Sequence, residues 1–241
     1  MMKLPISKRL LLCADLVPPC DTVADVGTDH GFLGIHLLRA GICRRVLAAD
    51  LREKPLASAR ANAAVFAVAD RMEFIRSNGL HNIDKNAFEV LVLAGMGGDL
   101  MARILADAPW LETGDKTLIL QPQSAANDLR RFLGERRYAI EVESLVRDGR
   151  FLYSVMRVLP GRGRALSPGE QYVSPALRQA GDPLYSQYLA RVRQALERTV
   201  SGITQSANPA DLARTPYYEQ ALDETCRLSP RITPIEAGGT Q

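Results

Sequence analysis

A segment near the N-terminus combines glycines with acidic and hydroxyl side chains. Residues 25–34 read DVGTDHGFLG and follow a short apolar stretch. Glycines allow a tight turn and a close approach of the backbone to a ligand. Asp25 and Asp29 would repel a pyrophosphate, which favours the positive N-terminal end of a helix. The two carboxylates therefore suit a ligand that carries ammonium and sulfonium charges.

Two polar residues further along the chain extend this pattern. Asp50 follows the apolar stretch 45–49, and Asn78 follows the alternating stretch 72–77. A carboxylate in the place of Asp50 can accept hydrogen bonds from both ribose hydroxyls, as in sites for NAD and for S-adenosylmethionine (SAM). The glycine spacing does not match the dinucleotide fingerprint, so the pattern favours SAM over NAD or another nucleotide. The predicted cofactor-binding set is Asp25, Gly27, Thr28, Asp50, Leu51, Asn78, Gly79 and Gly95.

The elements that must position these residues alternate between strand and helix. Strands are predicted at 22–26, 45–49, 72–77, 88–94 and 117–120, and a closing hairpin at 138–146 and 151–159. Helices are predicted at 30–40, 55–68, 99–106 and 124–136, the last capped by Ser124. This order predicts an α/β fold: a Rossmann-like, mostly parallel sheet with an antiparallel edge hairpin. Ligands bind beyond the carboxyl ends of such strands.

The β pattern stops near residue 160, and a different organisation follows. Residues 160–164 read as a linker, and helices are predicted at 183–203 and 209–226. We therefore predict a methyltransferase-type domain at 1–160 and a small helical extension at 165–241, with a mobile tail at 238–241.

Composition excludes several classes of protein. Apolar residues make up 46% of the 241 residues and the net charge is only +3, which excludes a disordered chain and a histone-like protein. The four cysteines and three histidines lack the spacing of a zinc site, so no metal is expected. No apolar stretch is long enough to span a membrane, and the run before Cys13 is too short for a signal peptide. A cytoplasmic protein is the expectation.

Three blocks of sequence resemble one known family. The blocks are residues 27–31 (GTDHG), 95–98 (GMGG) and 120–122 (LQP), and the hairpin 146–153 adds a weaker fourth. They look like the signature of the bacterial TrmK-type tRNA adenine-N1-methyltransferases. The resemblance implies a class I methyltransferase fold, SAM as cofactor, and methylation of N1 of an adenine in the D-arm of tRNA, at position 22. Asn78, Gln123 and Arg147 depart from the family pattern, the last two on the presumed substrate side.

The implied chemistry needs few catalytic groups. Adenine N1 is neutral near pH 7 and has a lone pair, so two positioned reactants supply most of the acceleration. A carboxylate would stabilise the cationic product ring, and Asp29 with His30 is the predicted catalytic pair. Amino-group methyltransferases commonly bind an exocyclic amine with an Asp/Asn-Pro-Pro-aromatic motif after the fourth strand. Residues 95–98 (GMGG) lack this motif, which argues against methylation of N6. The predicted substrate-binding residues are Met96, Gly97, Gly98 and Gln121 in the cleft, and Lys3, Lys8 and Arg9 for tRNA phosphates.

Two other functions remain open at this point. One is a SAM-dependent methyltransferase that acts on a small molecule or a protein, which the modest net charge favours. The other is a non-catalytic module with a vestigial pocket, against which the intact Gly27 turn and Asp50 argue. The oligomeric state is expected to be a monomer or a weak homodimer.

Overall fold

A computed structural model of the protein describes residues 3–229. Its contacts divide the chain into two compact units, the first ending at Leu166 and the second beginning at Ser167. The predicted mobile tail, 238–241, lies outside the described residues.

The first unit is built on one seven-stranded sheet. The strands lie in the order β3-β2-β1-β4-β5-β7-β6. The first five strands are parallel, whereas β7 runs antiparallel to both β5 and β6. The strands are β1 Thr22–Val26, β2 Arg45–Asp50, β3 Met72–Arg76, β4 Val90–Gly97, β5 Thr117–Ser124, β6 Ala139–Asp148 and β7 Phe151–Leu159. The predicted fold class, including the antiparallel edge hairpin, is confirmed.

Five helices cover the two faces of the sheet. They are α1 Lys8–Leu16, α2 Phe32–Arg39, α3 Glu53–Val65, α4 Gly98–Ala106 and α5 Ala126–Glu135. One buried cluster joins α1, α2 and α3 to one face, and a second joins α4 and α5 to the other. Parallel strands covered in this way are buried on both sides, which explains the continuous apolar run of β4. Helix α1 is an addition to the predicted elements.

Two local predictions are wrong. Ser124 does not cap α5: it is the last residue of β5, because Gly97 of β4 extends the pairing to it. Ala125 is the N-terminal flanking residue instead, in the left-handed conformation with φ 51°. The single helix predicted over 209–226 is two helices, because the ring of Pro216 cannot follow a helical turn without clashing with the preceding carbonyls.

The second unit is helical, as its sequence pattern predicts. Helix α8 packs against α10, and α10 also packs against α6. A capping box formed by Ser167 and Glu170 begins α6. The helices are α6 Pro168–Tyr172, α7 Pro175–Gln179, α8 Tyr185–Thr204, α9 Pro209–Leu212 and α10 Thr215–Cys226. In the part of the chain that the structure describes, no helix has the length and apolar character needed to cross a membrane.

Candidate functional site

A cavity of about 350 Å³ opens at the carboxyl ends of β1, β2 and β4. This is the edge at which open α/β sheets bind their ligands. Helix α1 and the start of α2 complete its wall. The lining residues are Arg9, Leu10, Asp25, Gly27, Thr28, Asp29, His30, Phe32, Leu33, Asp50, Arg52, Ala94, Gly95 and Met96. The structure therefore brings together five predicted cofactor residues, both predicted catalytic residues, and Arg9 and Met96 from the predicted substrate set.

The turn after β1 is shaped by Gly27. Its φ is +82°, a conformation that favours glycine, and its N–H donates to the carbonyl of Ala49 over 2.8 Å. A Cβ atom at this position would lie 2.8 Å from the Cε atom of Met96. Glycine here thus lets the turn fold back onto β2 and keeps space between the β1 and β4 loops.

Asp25 is a buried carboxylate at the base of the cavity. Its side chain is 3% exposed and accepts a hydrogen bond from the Thr28 hydroxyl over 2.7 Å. Burial raises the pKa of Asp25 to about 6; the Thr28 hydrogen bond opposes this shift and the nearby charge of Asp50 adds to it. A carboxylate held in this way is well suited to a cationic group that would replace its lost hydration.

Asp50 ends β2, the strand that pairs with β1, and also lines the cavity. It is 8% exposed, and its Oδ1 accepts a hydrogen bond from the backbone N–H of Arg52 over 3.0 Å. This bond holds the side chain at the strand end. A fixed carboxylate at the carboxyl end of β2 can accept hydrogen bonds from a pair of hydroxyls.

Asp29 and His30 form the exposed rim of the cavity. Asp29 has φ 51°, and His30 Nε2 lies 3.7 Å from Asp29 Oδ2. The imidazole stacks on the ring of Phe32 with the ring centroids 5.6 Å apart, and Asn62 donates to the backbone carbonyl of His30. The pair is therefore held at the mouth, accessible to a second reactant.

Gln121 links three elements beneath the β4 turn. Its Oε1 accepts hydrogen bonds from Arg9 Nη1, over 3.0 Å, and from the backbone N–H of Gly95, over 3.1 Å. Its side chain is fully buried, so the structure does not bring it to the cavity surface. Gln121 instead positions Arg9, the one cation from α1 in the cavity wall. Lys3 and Lys8 are exposed outside it.

The remaining predicted residues lie around the cavity rather than in its lining. Leu51 is 57% exposed, next to Asp50. Asn78 and Gly79 line a second cavity of about 270 Å³, which shares no lining residue with the first. Gly98 begins α4, where a Cβ atom would lie 2.3 Å from the carbonyl oxygen of Ala125. Gly97 precedes it beside Ser124, so these two glycines serve the packing of α4.

A model described as a methyltransferase domain matches residues 6–156. The chain belongs to this methyltransferase family. The match includes every residue that lines the cavity and all of the sheet except the last three residues of β7. Within residues 3–229, no group of three or more His, Cys, Asp or Glu side chains is arranged to hold a metal ion.

Individual relatives narrow the comparison within the methyltransferase family. The chain is 29% identical over 230 residues to the tRNA (adenine(22)-N(1))-methyltransferase of Bacillus subtilis, covering 93% of this chain and 94% of the relative. The crystal structure of B. subtilis TrmK shares the fold, with a TM-score of 0.82, 24% identity, and coverage of 93% of this chain and 98% of that one. The resemblance to TrmK-type enzymes is thus confirmed.

A third comparison concerns a ligand-bound methyltransferase structure. A Streptococcus pneumoniae protein crystallised in complex with S-adenosyl-L-methionine is 28% identical, with a TM-score of 0.76. The alignment covers 90% of this chain and 99% of that protein. The similarity therefore includes both units of this methyltransferase, and not the sheet alone.

Proposed function

We propose that the protein transfers the methyl group of SAM to N1 of an adenine in the D-arm of tRNA, at position 22. The observation that carries this proposal is the acidic cavity at the carboxyl edge, whose lining includes the buried carboxylates of Asp25 and Asp50. It lies in a chain that aligns almost end to end with a tRNA (adenine(22)-N(1))-methyltransferase.

The chemistry of the cavity wall fits SAM. Asp50 would accept hydrogen bonds from the ribose hydroxyls, and Asp25 with the Thr28 hydroxyl would hold the ammonium group. Arg9, held by Gln121, would bind the carboxylate of the amino acid part. The adenine ring of SAM would contact Leu51, Asn78 and Gly79, which follow β2 and β3. When bound, SAM supplies a methyl group activated by the sulfonium charge.

The mouth of the cavity fits a flat nucleobase. Asp29 and His30 form the rim, and Met96 lines the wall contributed by the β4 turn. The rim holds the adenine with N1 in line with the methyl group, and positioning supplies most of the acceleration. The Asp29 carboxylate stabilises the positive charge that develops on the ring. No general base is needed, because N1 is unprotonated near pH 7.

The tRNA has to be held while the adenine is extruded. Extrusion costs a few kcal/mol, and contacts to the phosphates offset part of it. Lys3 and Lys8 are the basic groups beside the cavity-lining Arg9, and both are exposed. We propose a cytoplasmic location, because an enzyme with this function must meet its tRNA there. A monomer or a weak homodimer stays our prediction for the oligomeric state.

A labelled-methyl assay on bulk bacterial tRNA tests the function. Radiolabelled SAM is supplied to the full chain, and the nucleosides are identified by mass spectrometry. We expect 1-methyladenosine, with activity lost in Asp29→Ala and Asp50→Ala. The matched control is Asp115→Ala, whose side chain is 97% exposed and lies outside the cavity lining.

One result would contradict this function, and another would contradict only the proposed phosphate contacts. If the protein binds SAM but labels no tRNA nucleoside, the substrate is a small molecule or a protein. If activity on tRNA is present but KM does not rise steeply with salt, phosphate contacts do not hold the substrate.

A further inference from the structure

The tip of the β6–β7 hairpin presents an aromatic side chain to solvent. Phe151, the first residue of β7, is 50% exposed. The Arg150 guanidinium lies 4.9 Å from the centroid of its ring, and the ring of Tyr153 lies 5.9 Å from it. The phenyl ring is thus braced on two sides, although the core does not cover it.

The strand register places this tip at the same edge as the SAM cavity. Leu118 of β5 pairs with Val158 of β7, and Leu120 pairs with Met156. Moving toward the carboxyl end of β5 therefore means moving toward Phe151, which pairs with Asp148 at the turn. Only β5 separates β7 from β4, whose carboxyl end forms one wall of the cavity. The axes of β4 and β7 are therefore two strand spacings apart, which is roughly 10 Å.

The side-chain alternation of β7 places Phe151 on the same face of the sheet as well. Phe151, Tyr153 and Val155 point to one side, because alternate residues of a strand share a face. Val155 is buried in the cluster that contains the core residues of α1 and α2. Leu10 of α1 and Leu33 of α2 line the cavity on that side. The ring therefore faces the same side as the mouth of the cavity.

We propose that Phe151 is a stacking platform for an unpaired RNA base that neighbours the adenine to be methylated. This proposal rests on the proposed function, since extruding one base disrupts the stacking of the bases beside it. Aromatic rings with a nearby arginine bind single-stranded bases by stacking, largely without regard to sequence. Arg147, Asp148 and Arg150 give the turn a net positive charge, which favours a polyanion over an acidic peptide of lower charge density.

The first measurement is the affinity for tRNA in the presence of S-adenosylhomocysteine, by fluorescence anisotropy. We expect Phe151→Ala to weaken tRNA binding by roughly 5- to 100-fold, the range for loss of one stacked base. The same variant should raise KM for tRNA and leave the Kd for SAM unchanged. Phe151→Trp should retain affinity. Val65→Ala is the matched control, because Val65 is an apolar residue that is even more exposed (61%) and lies on α3, beside the opposite end of the sheet.

The second measurement reports stacking directly. Addition of tRNA should quench the fluorescence of the indole introduced by Phe151→Trp, with the same Kd as in the anisotropy titration. The wild type corrects for Trp110, and Val65→Trp shows the response of an exposed indole elsewhere.

The outcomes separate this proposal from the function on which it rests. If the wild type methylates tRNA while Phe151→Ala binds it normally, the platform is refuted and the function stands. Affinity lost in Phe151→Ala without quenching in Phe151→Trp also refutes stacking. If the wild type neither binds nor methylates tRNA, both proposals fall together.

Discussion

At the scale of single residues, burial of Asp25 links cofactor binding to stability. Its pKa of about 6 lies above the ordinary value of 3.8, so the folded state holds the proton more tightly than the unfolded state. Stability attributable to this group is therefore complete at low pH and falls as the pH rises from about 4 to 6. A shift of this size destabilises the fold without a ligand by up to about 3 kcal/mol above pH 6.

The first prediction follows from that sign. Asp25→Asn, which can still accept the Thr28 hydrogen bond, should raise the free energy of unfolding at pH 7.5 by about 1–3 kcal/mol. The gain should vanish near pH 4, where Asp25 of the wild type is protonated. Urea unfolding of the ligand-free protein at both pH values measures it. An equal gain at both pH values would refute the ionisation of Asp25 as its source.

The second prediction concerns Asp50. Asp50→Ala should weaken SAM binding by roughly 10- to 100-fold, since hydrogen bonds to a charged group contribute about 1.5–3 kcal/mol. Isothermal titration calorimetry with SAM measures the effect. Asp115→Ala provides the baseline, and unchanged affinity in Asp50→Ala would remove Asp50 from the cofactor site.

The positions of these two carboxylates are predictable from the sequence, because Asp25 lies near the end of one apolar strand and Asp50 ends the next. Parallel sheets bind their ligands at that edge. The contact that Arg9 makes is not predictable, because a basic residue near the N-terminus gives no sign of which residue it will bind. Only the packing of α1 across the sheet brings Arg9 to Gln121, more than a hundred residues away. The same holds for Gln121, whose burial beneath the β4 turn no local pattern indicates.

At the scale of the elements, one buried ion pair joins α5 to the edge hairpin. Arg130 of α5 and Glu143 of β6 are 1% and 0% exposed, and Nη2 lies 2.5 Å from Oε1. Arg130 also donates to Ser154 of β7. Arg130 stands directly before the exposed Arg131 in the sequence, so the sequence pattern alone suggests a surface position.

The third prediction tests this pair. Arg130→Met leaves Glu143 buried without its cation and should lower the free energy of unfolding by about 3–5 kcal/mol. Replacing both partners, as Arg130→Met with Glu143→Leu, should restore most of the loss, because the buried charge is then gone. Chemical denaturation measures both variants.

The same helix offers the control for this prediction. Arg131 pairs with Asp128 at the surface, where both side chains are about half exposed. Arg131→Met should change the free energy of unfolding by less than about 1 kcal/mol. A loss in Arg130→Met no larger than in this control would show that the buried pair does not hold the hairpin.

The elements were predictable where the hydrophobic pattern is strong, and were not where the pattern is weak or a proline interrupts it. The buried strands were predictable, because continuous apolar runs bounded by glycine or polar residues have few alternatives. Helix α1 was missed, since its weak amphipathic pattern begins directly after a charged N-terminus. The division between α9 and α10 depends on Pro216, whose effect on the chain outweighs the helical pattern around it.

At the scale of the whole molecule, the cavity belongs to the first unit, whereas helix α8 with its exposed arginines belongs to the second. All residues that line the cavity at the carboxyl edge, and both clusters of the sheet's core, belong to the first unit. In the second unit, Arg193 of α8 donates to the carbonyls of Thr225 and Cys226 at the end of α10. This arginine therefore ties two helices together, whereas Arg191 and Arg198 on the same helix are exposed.

Because the cavity lies wholly within the first unit, cofactor binding and tRNA binding should be separable. The fourth prediction is that a chain ending at Leu166 binds SAM with a Kd within about threefold of the full chain, a difference below 1 kcal/mol. Its affinity for tRNA should fall, because the exposed arginines of α8 are lost with the second unit.

The double variant Arg191→Gln with Arg198→Gln in the full chain supplies the matched comparison. It should reduce the salt dependence of tRNA binding by about 1–2 in slope, again with unchanged SAM affinity. Undiminished tRNA affinity in the shortened chain would assign all RNA contacts to the first unit, and lost SAM affinity would show that the first unit needs the second to keep its cavity.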